Sequence, residues 1–149
     1  MKKPFPHYLI ILSLSLDNGM MSDGMLIKSH FDLDVFQVAY KISQRIFFLS
    51  KKFPKEETYS LTDQIRRSSR SVCANTAEAF RKRIYPKSFV SRLNDAEAEV
   101  AETQVWLTFA KDCNYINSEK AVEIINEYEN IIGKLVSMQN QSNKWNPAR

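Results

Sequence analysis

From Asp32 onward, apolar residues recur in steps of four and three, the spacing of one helical face. The first run is Val35, Ala39, Ile42, Ile46, Leu49 and Phe53. Pro54 ends it, because the residue before a proline is pushed out of helical geometry. A second run passes through Leu61, Ile65, Ser68, Val72, Asn75 and Ala79. A third, opened by Pro86 in its first turn, reads Phe89, Leu93, Ala96, Val100, Thr103, Leu107 and Ala110. The fourth takes Asn117 or Ser118 as N-cap and reads Ala121, Ile125, Tyr128, Ile132 and Leu135. Such spacing is the seam of a helical bundle. The connections at Lys55–Thr58, Lys82–Tyr85 and Asn114–Ser118 are short, which makes successive helices antiparallel neighbours. No strand-like alternation competes. The pattern predicts an all-α, antiparallel up-and-down four-helix bundle over residues 31–140, with an N-terminal extension at 1–30, expected to be poorly ordered, and a tail at 141–149.

Some large rings fall off these seams. The first helix also carries Phe36, Tyr40, Phe47 and Phe48, and the third carries Trp106 and Phe109. A wide core stripe accounts for them, and so does a second apolar face buried by self-association. The sequence leaves both open.

Composition sets the scale. A chain of 149 residues with 44% hydrophobic and 26% charged residues fits one globular domain. Pro86 is the only proline between Lys55 and Asn146, so long helices are permitted on either side of it. At the start, Lys2 and Lys3 precede the apolar run Tyr8–Leu16, which is too short to span a bilayer but superficially resembles a signal-peptide core. Early prolines and the lack of an A-x-A site argue against export. Met20, Met21 and Met25 offer later starts, so an untranslated or loosely attached extension is expected, in a cytoplasmic protein with no membrane contact.

Charge changes the picture most. Between Ser60 and Arg92 stand Arg66, Arg67, Arg70, Arg81, Lys82, Arg83, Lys87 and Arg92, against Asp63 and Glu78. That excess of +6 (8 minus 2) exceeds the +4 of the whole chain. A field concentrated on one helical hairpin points to an anionic partner, RNA or DNA above all. Arg81, Lys82, Arg83 and Lys87 lie at the hairpin turn, where a solvated charged turn is the plain alternative. Phe80 and Tyr85 beside them are candidates for stacking on bases or for hairpin packing.

A hairpin turning near Ile84–Tyr85 sets Glu102 level with about Arg67, Glu99 with about Arg70, and Asn75 with about Asn94, at ~1.5 Å per residue. Arg66, Arg67 and Arg70 therefore have carboxylates of the third helix at their height, and a register-fixing polar network with Asn75, Glu78, Glu99 and Glu102 is expected. Cys73 and Cys113 differ in height by roughly 25 Å on the same arithmetic, too far for a disulfide. Both are expected to be small buried hydrophobes.

Parts for catalysis are missing from the pattern. Neither histidine, His7 or His30, lies on a predicted helix, so no Glu-x-x-His metal pair or Ser/Cys–His pair forms there. Gly19, Gly24 and Gly133 are scattered and make no phosphate loop. No metal, cofactor or catalytic residue is expected.

Several ordered segments resemble a bacterial family of small four-helix-bundle proteins often encoded in intervening sequences of large-subunit ribosomal RNA genes. They are Leu33-x-Val35-Phe36, Phe53-Pro54-x-Glu56, Leu61-Thr62-x-Gln64-Ile65-Arg66-Arg67, Ser71-Val72-x-Ala74-Asn75-x-Ala77-Glu78 with Arg81 close behind, Glu102-Thr103, Leu107-x-x-Ala110 and Asn114-Tyr115-Ile116. The resemblance implies a non-enzymatic bundle assembling as a ring, typically a homopentamer. It also implies kinship with the accessory protein of diversity-generating retroelements, which engages a reverse transcriptase and nucleic acid. Two positions depart from the family pattern: Ala79 replaces a glycine, and Ala96-Glu97-Ala98-Glu99 is free of glycine. The expectation is an oligomer binding RNA or DNA through Arg81, Lys82, Arg83 and Lys87, with Arg66, Arg67 and Arg70. Phe36, Tyr40, Phe47, Phe48 and Trp106 are the expected subunit contacts. A protein–protein adaptor without nucleic acid is the alternative.

Overall fold

Ser29 and Asp32 close a capping box around a single 3-10 turn, His30–Asp32. The Ser29 hydroxyl accepts from the Phe31 amide at 3.2 Å, and the Asp32 carboxylate from the Ser29 amide at 3.1 Å. In the computed structural model, which describes residues 21–22 and 25–147, this turn leads into α1 (Asp34–Ser50). α2 (Leu61–Arg81), α3 (Pro86–Asp112) and α4 (Ser118–Asn140) follow, and one short turn of helix, α5 (Ser142–Trp145), folds back. Ahead of them, β1 (Met21–Ser22) and β2 (Met25–Leu26) form a two-residue antiparallel pair. The expectations for Tyr8–Leu16 and His7 lie outside the described residues. Among the described residues no helix is long and apolar enough to cross a membrane.

α2 packs on α3, α3 on α4, and α1 on both α2 and α4, closing the up-and-down bundle. Cross-helix bonds give the direction. Ser68 meets Thr103 while Glu78 meets Arg92, so residue numbers rise on α2 as they fall on α3. The seam between α1 and α4 is closed by ions: Arg45 spans Glu127 at 2.6 Å and Glu123 at 3.1 Å, and Lys134 pairs with Asp34.

All seven seam positions expected on α3, from Phe89 to Ala110, are buried. On α2 the buried polar residue after Val72 is Thr76 instead of Asn75, which is only half-buried. A straight helix drifts about 20° per heptad against a strict seven-residue repeat, so two heptads beyond Leu61 the centre of the stripe lies nearer Thr76 than Asn75, with Ala79 still inside. On α4, Ile124 and Ile131 are buried while Ile125 and Ile132 lie half-buried against the core. The helix is rotated toward the first pair.

The helix ends follow local chemistry. Asn117 caps α4, accepting from the Glu119 amide at 2.8 Å and the Lys120 amide at 3.2 Å. α3 closes with a Schellman pattern: Tyr115 N bonds Ala110 O at 2.8 Å and Asn114 N bonds Lys111 O at 3.0 Å, with Asn114 at φ 58°. Tyr115 then packs on Phe53 and donates its hydroxyl to Glu57 at 3.1 Å. Beyond the four helices, Ile27 is buried and Trp145 lies 6.1 Å from the Phe89 ring, so residues on both flanks of the bundle add to its core.

Candidate nucleic-acid interface

Arg81 ends α2, and Pro86, at the first position of α3, holds Tyr85 in an extended conformation. The four residues between the helices form a tight turn in which the Tyr85 amide bonds the Lys82 carbonyl at 2.9 Å. Arg83 folds over this turn. Its guanidinium lies 3.8 Å from the Phe80 ring centroid and donates to the Phe80 carbonyl at 2.7 Å, satisfying an open C-terminal carbonyl of α2. Burial, with Arg81 beside it, pulls the Arg83 pKa down from its ordinary value, but an arginine remains charged.

Arg81, Lys82 and Lys87 are exposed, and among the described residues none of them is ion-paired. The carboxylates nearest in sequence are already engaged. Arg92 takes Glu78 at 3.1 Å and Asp95 at 3.2 Å, and reaches Asn75 at 3.5 Å. His30 sits at the same end; its pKa is lowered by burial and then by Arg81. The α3 N-terminus, which carries the positive end of its dipole, has no side-chain cap. Tyr85 is 63% exposed beside these cations, whereas Phe80 is buried under Arg83.

The expected pairing of Arg66, Arg67 and Arg70 with carboxylates of α3 is not what the structure shows. Arg66 donates through Nε to Ser50 at 2.7 Å, and its guanidinium lies 4.8 Å over the Phe47 ring. Arg70 approaches the same ring at 5.3 Å. Arg67 reaches only Asp63, one turn earlier on its own helix, at 4.0 Å. The register expected was right to within a turn, but Arg66 and Arg70 emerge on the α1 side of α2. Lys51 completes the patch, 4.9 Å from Phe47 and 5.1 Å from Phe48.

Part of the expected polar network forms. Asn75 and Glu78 hold Arg92, and Asn75 also donates to the Ser71 hydroxyl at 3.1 Å, which lies on the side of α2 facing Glu99. Glu102 stands apart and accepts from the Trp106 indole at 3.1 Å. Burial, followed by repulsion from Glu102 and Asp95, raises the Glu99 pKa.

The aromatic set also splits. Phe36 is a core residue, with Tyr40 stacked 6.3 Å away; it is closed to a partner. Phe47 and Trp106 are half-buried, while Phe48 is 60% and Phe109 54% exposed. The wide-stripe reading therefore fits Phe36, and an outward face remains at Phe48 and Phe109. Cys113, expected inside, is exposed beside Trp106 and Phe109 in a groove near Tyr59, because it caps α3 on its outer side.

Residues 31–137 match the 23S rRNA-intervening sequence protein family. The chain belongs to that family.

A solved structure of a protein of unknown function from the S23 ribosomal protein family of Bacteroides thetaiotaomicron is similar, with a TM-score of 0.64 and 30% identity over 70% of this chain and 97% of that one. No curated protein matches the chain. In this member of the intervening-sequence family, segments that carried the resemblance are also those that set the geometry. Asn75 and Glu78 of the Ser71–Glu78 segment clasp Arg92, and Asn114-Tyr115-Ile116 closes α3. Ala79 and Ala96, at the two departures from the family pattern, are both fully buried.

Lys51 and Ser50 escaped the sequence reading. The signal for Lys51 was its i,i+4 spacing from Phe47. Ser50 carried none, since its partner Arg66 is on another helix.

Proposed function

We propose that this protein is a non-enzymatic, self-associating bundle of the cytoplasm that binds RNA or DNA through the α2–α3 tip. One observation carries the reading: Arg81, Lys82 and Lys87 stand exposed on a rigid turn, while the nearest carboxylates, Glu78 and Asp95, are bound by Arg92. Cations without partners are available to phosphates, and binding that releases counterions weakens steeply with salt. Arg67, Arg70 and Arg81 share the outward face of α2, extending the positive surface along the helix.

Self-association finds support in two dissimilar flanks of α2. One, where α1 meets α2, presents Phe48 with Lys51, Arg66 and Arg70; the other, on α3, presents Phe109 beside Trp106 and its partner Glu102. Opposite charge beside exposed rings suits a head-to-tail contact, which closes into a ring when the rotation allows. The family resemblance favours five subunits for that ring. Assembly would bring several tips together and sum their fields.

The test is titration of RNA at rising salt, with Arg81, Lys82 and Lys87 changed together to Glu. Arg83 is left in place because it closes α2. Unchanged affinity in that triple variant, or salt-insensitive binding, overturns the assignment. An adaptor reading, with a reverse transcriptase or another protein as partner, rests on the exposed groove at Tyr59, Trp106 and Phe109. Protein recovered in a pull-down after nuclease treatment, and lost on Phe109→Asp, would favour it.

A further inference from the structure

We propose that the hairpin tip selects unpaired over duplex nucleic acid, by stacking one base on Tyr85 while Arg81, Lys82 and Lys87 hold the flanking phosphates. This deepens the nucleic-acid reading above and rests on it.

Tyr85 closes the charged turn at the N-cap of α3, and it is 63% exposed. The fold keeps its backbone still. The Tyr85 amide is bonded to the Lys82 carbonyl at 2.9 Å, its carbonyl receives the Phe89 amide at 2.9 Å, and Pro86 follows directly. With the backbone held, only the two torsions of the tyrosine side chain remain to be ordered on binding, a small cost. The other aromatic of the tip cannot take this part, since Phe80 is buried and covered by Arg83.

Stacking on an aromatic needs a free base face, which an unpaired strand offers and the interior of a duplex does not. The surroundings suit a strand too. From Pro86 and Lys87 a shallow groove of about 510 Å³ runs between α3 and the end of α4, lined by Val90, Ser91, Asn94 and Gln139. It gives the continuing chain an apolar contact and several hydrogen-bonding groups, beginning at a cation. A tip only four residues across, with an exposed aromatic as its last residue, contacts one strand more readily than it follows a duplex groove.

The experiment uses the full chain and a fluorescein-labelled single-stranded RNA, alone and annealed to its complement, with binding read by anisotropy. The wild type is expected to prefer the single strand. Tyr85→Ala should weaken single-strand binding about tenfold and leave duplex binding unchanged, while Tyr85→Phe keeps the preference. Equal affinity for the two forms, or a Tyr85→Ala variant that still discriminates, overturns this inference and leaves phosphate binding at the tip standing. Failure to bind either form at low salt overturns the nucleic-acid reading itself.

Discussion

Thr103 on α3 and Ser68 on α2 meet at 2.8 Å in the interior of the bundle, and both side chains are buried. The Thr103 proton is shared between Ser68 Oγ and the Glu99 carbonyl at 2.7 Å, while Ser68 itself reaches only the Ile65 carbonyl, at 3.4 Å. This contact between hydroxyls sits at the crossing of the two most extensively packed helices. It favours one register as no apolar pair would, because a slip breaks the bond between the helices and leaves each hydroxyl only a carbonyl of its own helix.

Thr103→Val keeps the volume and leaves Ser68 only its long bond to the Ile65 carbonyl, a change expected to cost about 1 kcal/mol. Removing both hydroxyls, as Ser68→Ala with Thr103→Val, should cost less than the two single changes added together. Denaturant unfolding of the four proteins measures the coupling; strict additivity would show that the pair contributes nothing.

Tyr128 presents the opposite case. Its hydroxyl is buried with no hydrogen-bond partner among the described residues, since the nearby Thr103 is committed elsewhere, and burial pushes its pKa far up. Tyr128→Phe relieves a desolvated hydroxyl without opening a large cavity. Stability should stay level or rise by up to about 1 kcal/mol, read as a thermal midpoint that does not fall.

Glu99 makes stability depend on pH. Its folded-state pKa lies above the ordinary 4.5, through burial first and then its acidic neighbours. The folded protein thus holds this proton more tightly than the unfolded chain. That contribution is complete below pH 4.5 and is lost as pH rises through the folded-state value. Glu99→Gln should therefore raise the melting temperature relative to wild type at pH 7, and the gain should vanish in melts below pH 4.5.

The two thiols should react very differently. Cys113 is exposed, whereas Cys73 is buried with its pKa raised to about 11, largely by burial. A thiol reagent at neutral pH should label Cys113 rapidly and spare Cys73 until the protein is denatured. Peptide mapping after a short pulse distinguishes them. Protection of Cys113 in the assembled protein, relieved on dilution, would locate a subunit contact in the groove of Tyr59, Trp106 and Phe109.

Much of the architecture was legible along the chain because its causes are local. Proline geometry placed the breaks at Pro54 and Pro86, Asn117 announced a cap, and the α3 seam from Phe89 to Ala110 follows from helical period alone. The concentration of cations on the α2–α3 hairpin was equally plain, since adjacent residues carry it. Tertiary structure decided which way each helix faces and therefore which charges meet. A modest shift of the buried stripe put Thr76 inside in place of Asn75 and chose Ile124 over Ile125, while Ala79 and Tyr128 stayed inside. The same geometry turned Arg66 and Arg70 toward Phe47 instead of the acids on α3, gave those arginines a partner in Lys51's aromatic pair, and left Arg92 to bind Glu78 and Asp95. Helical period sets which residues share a stripe, but the direction of that stripe is settled only when all the helices bury their apolar area together.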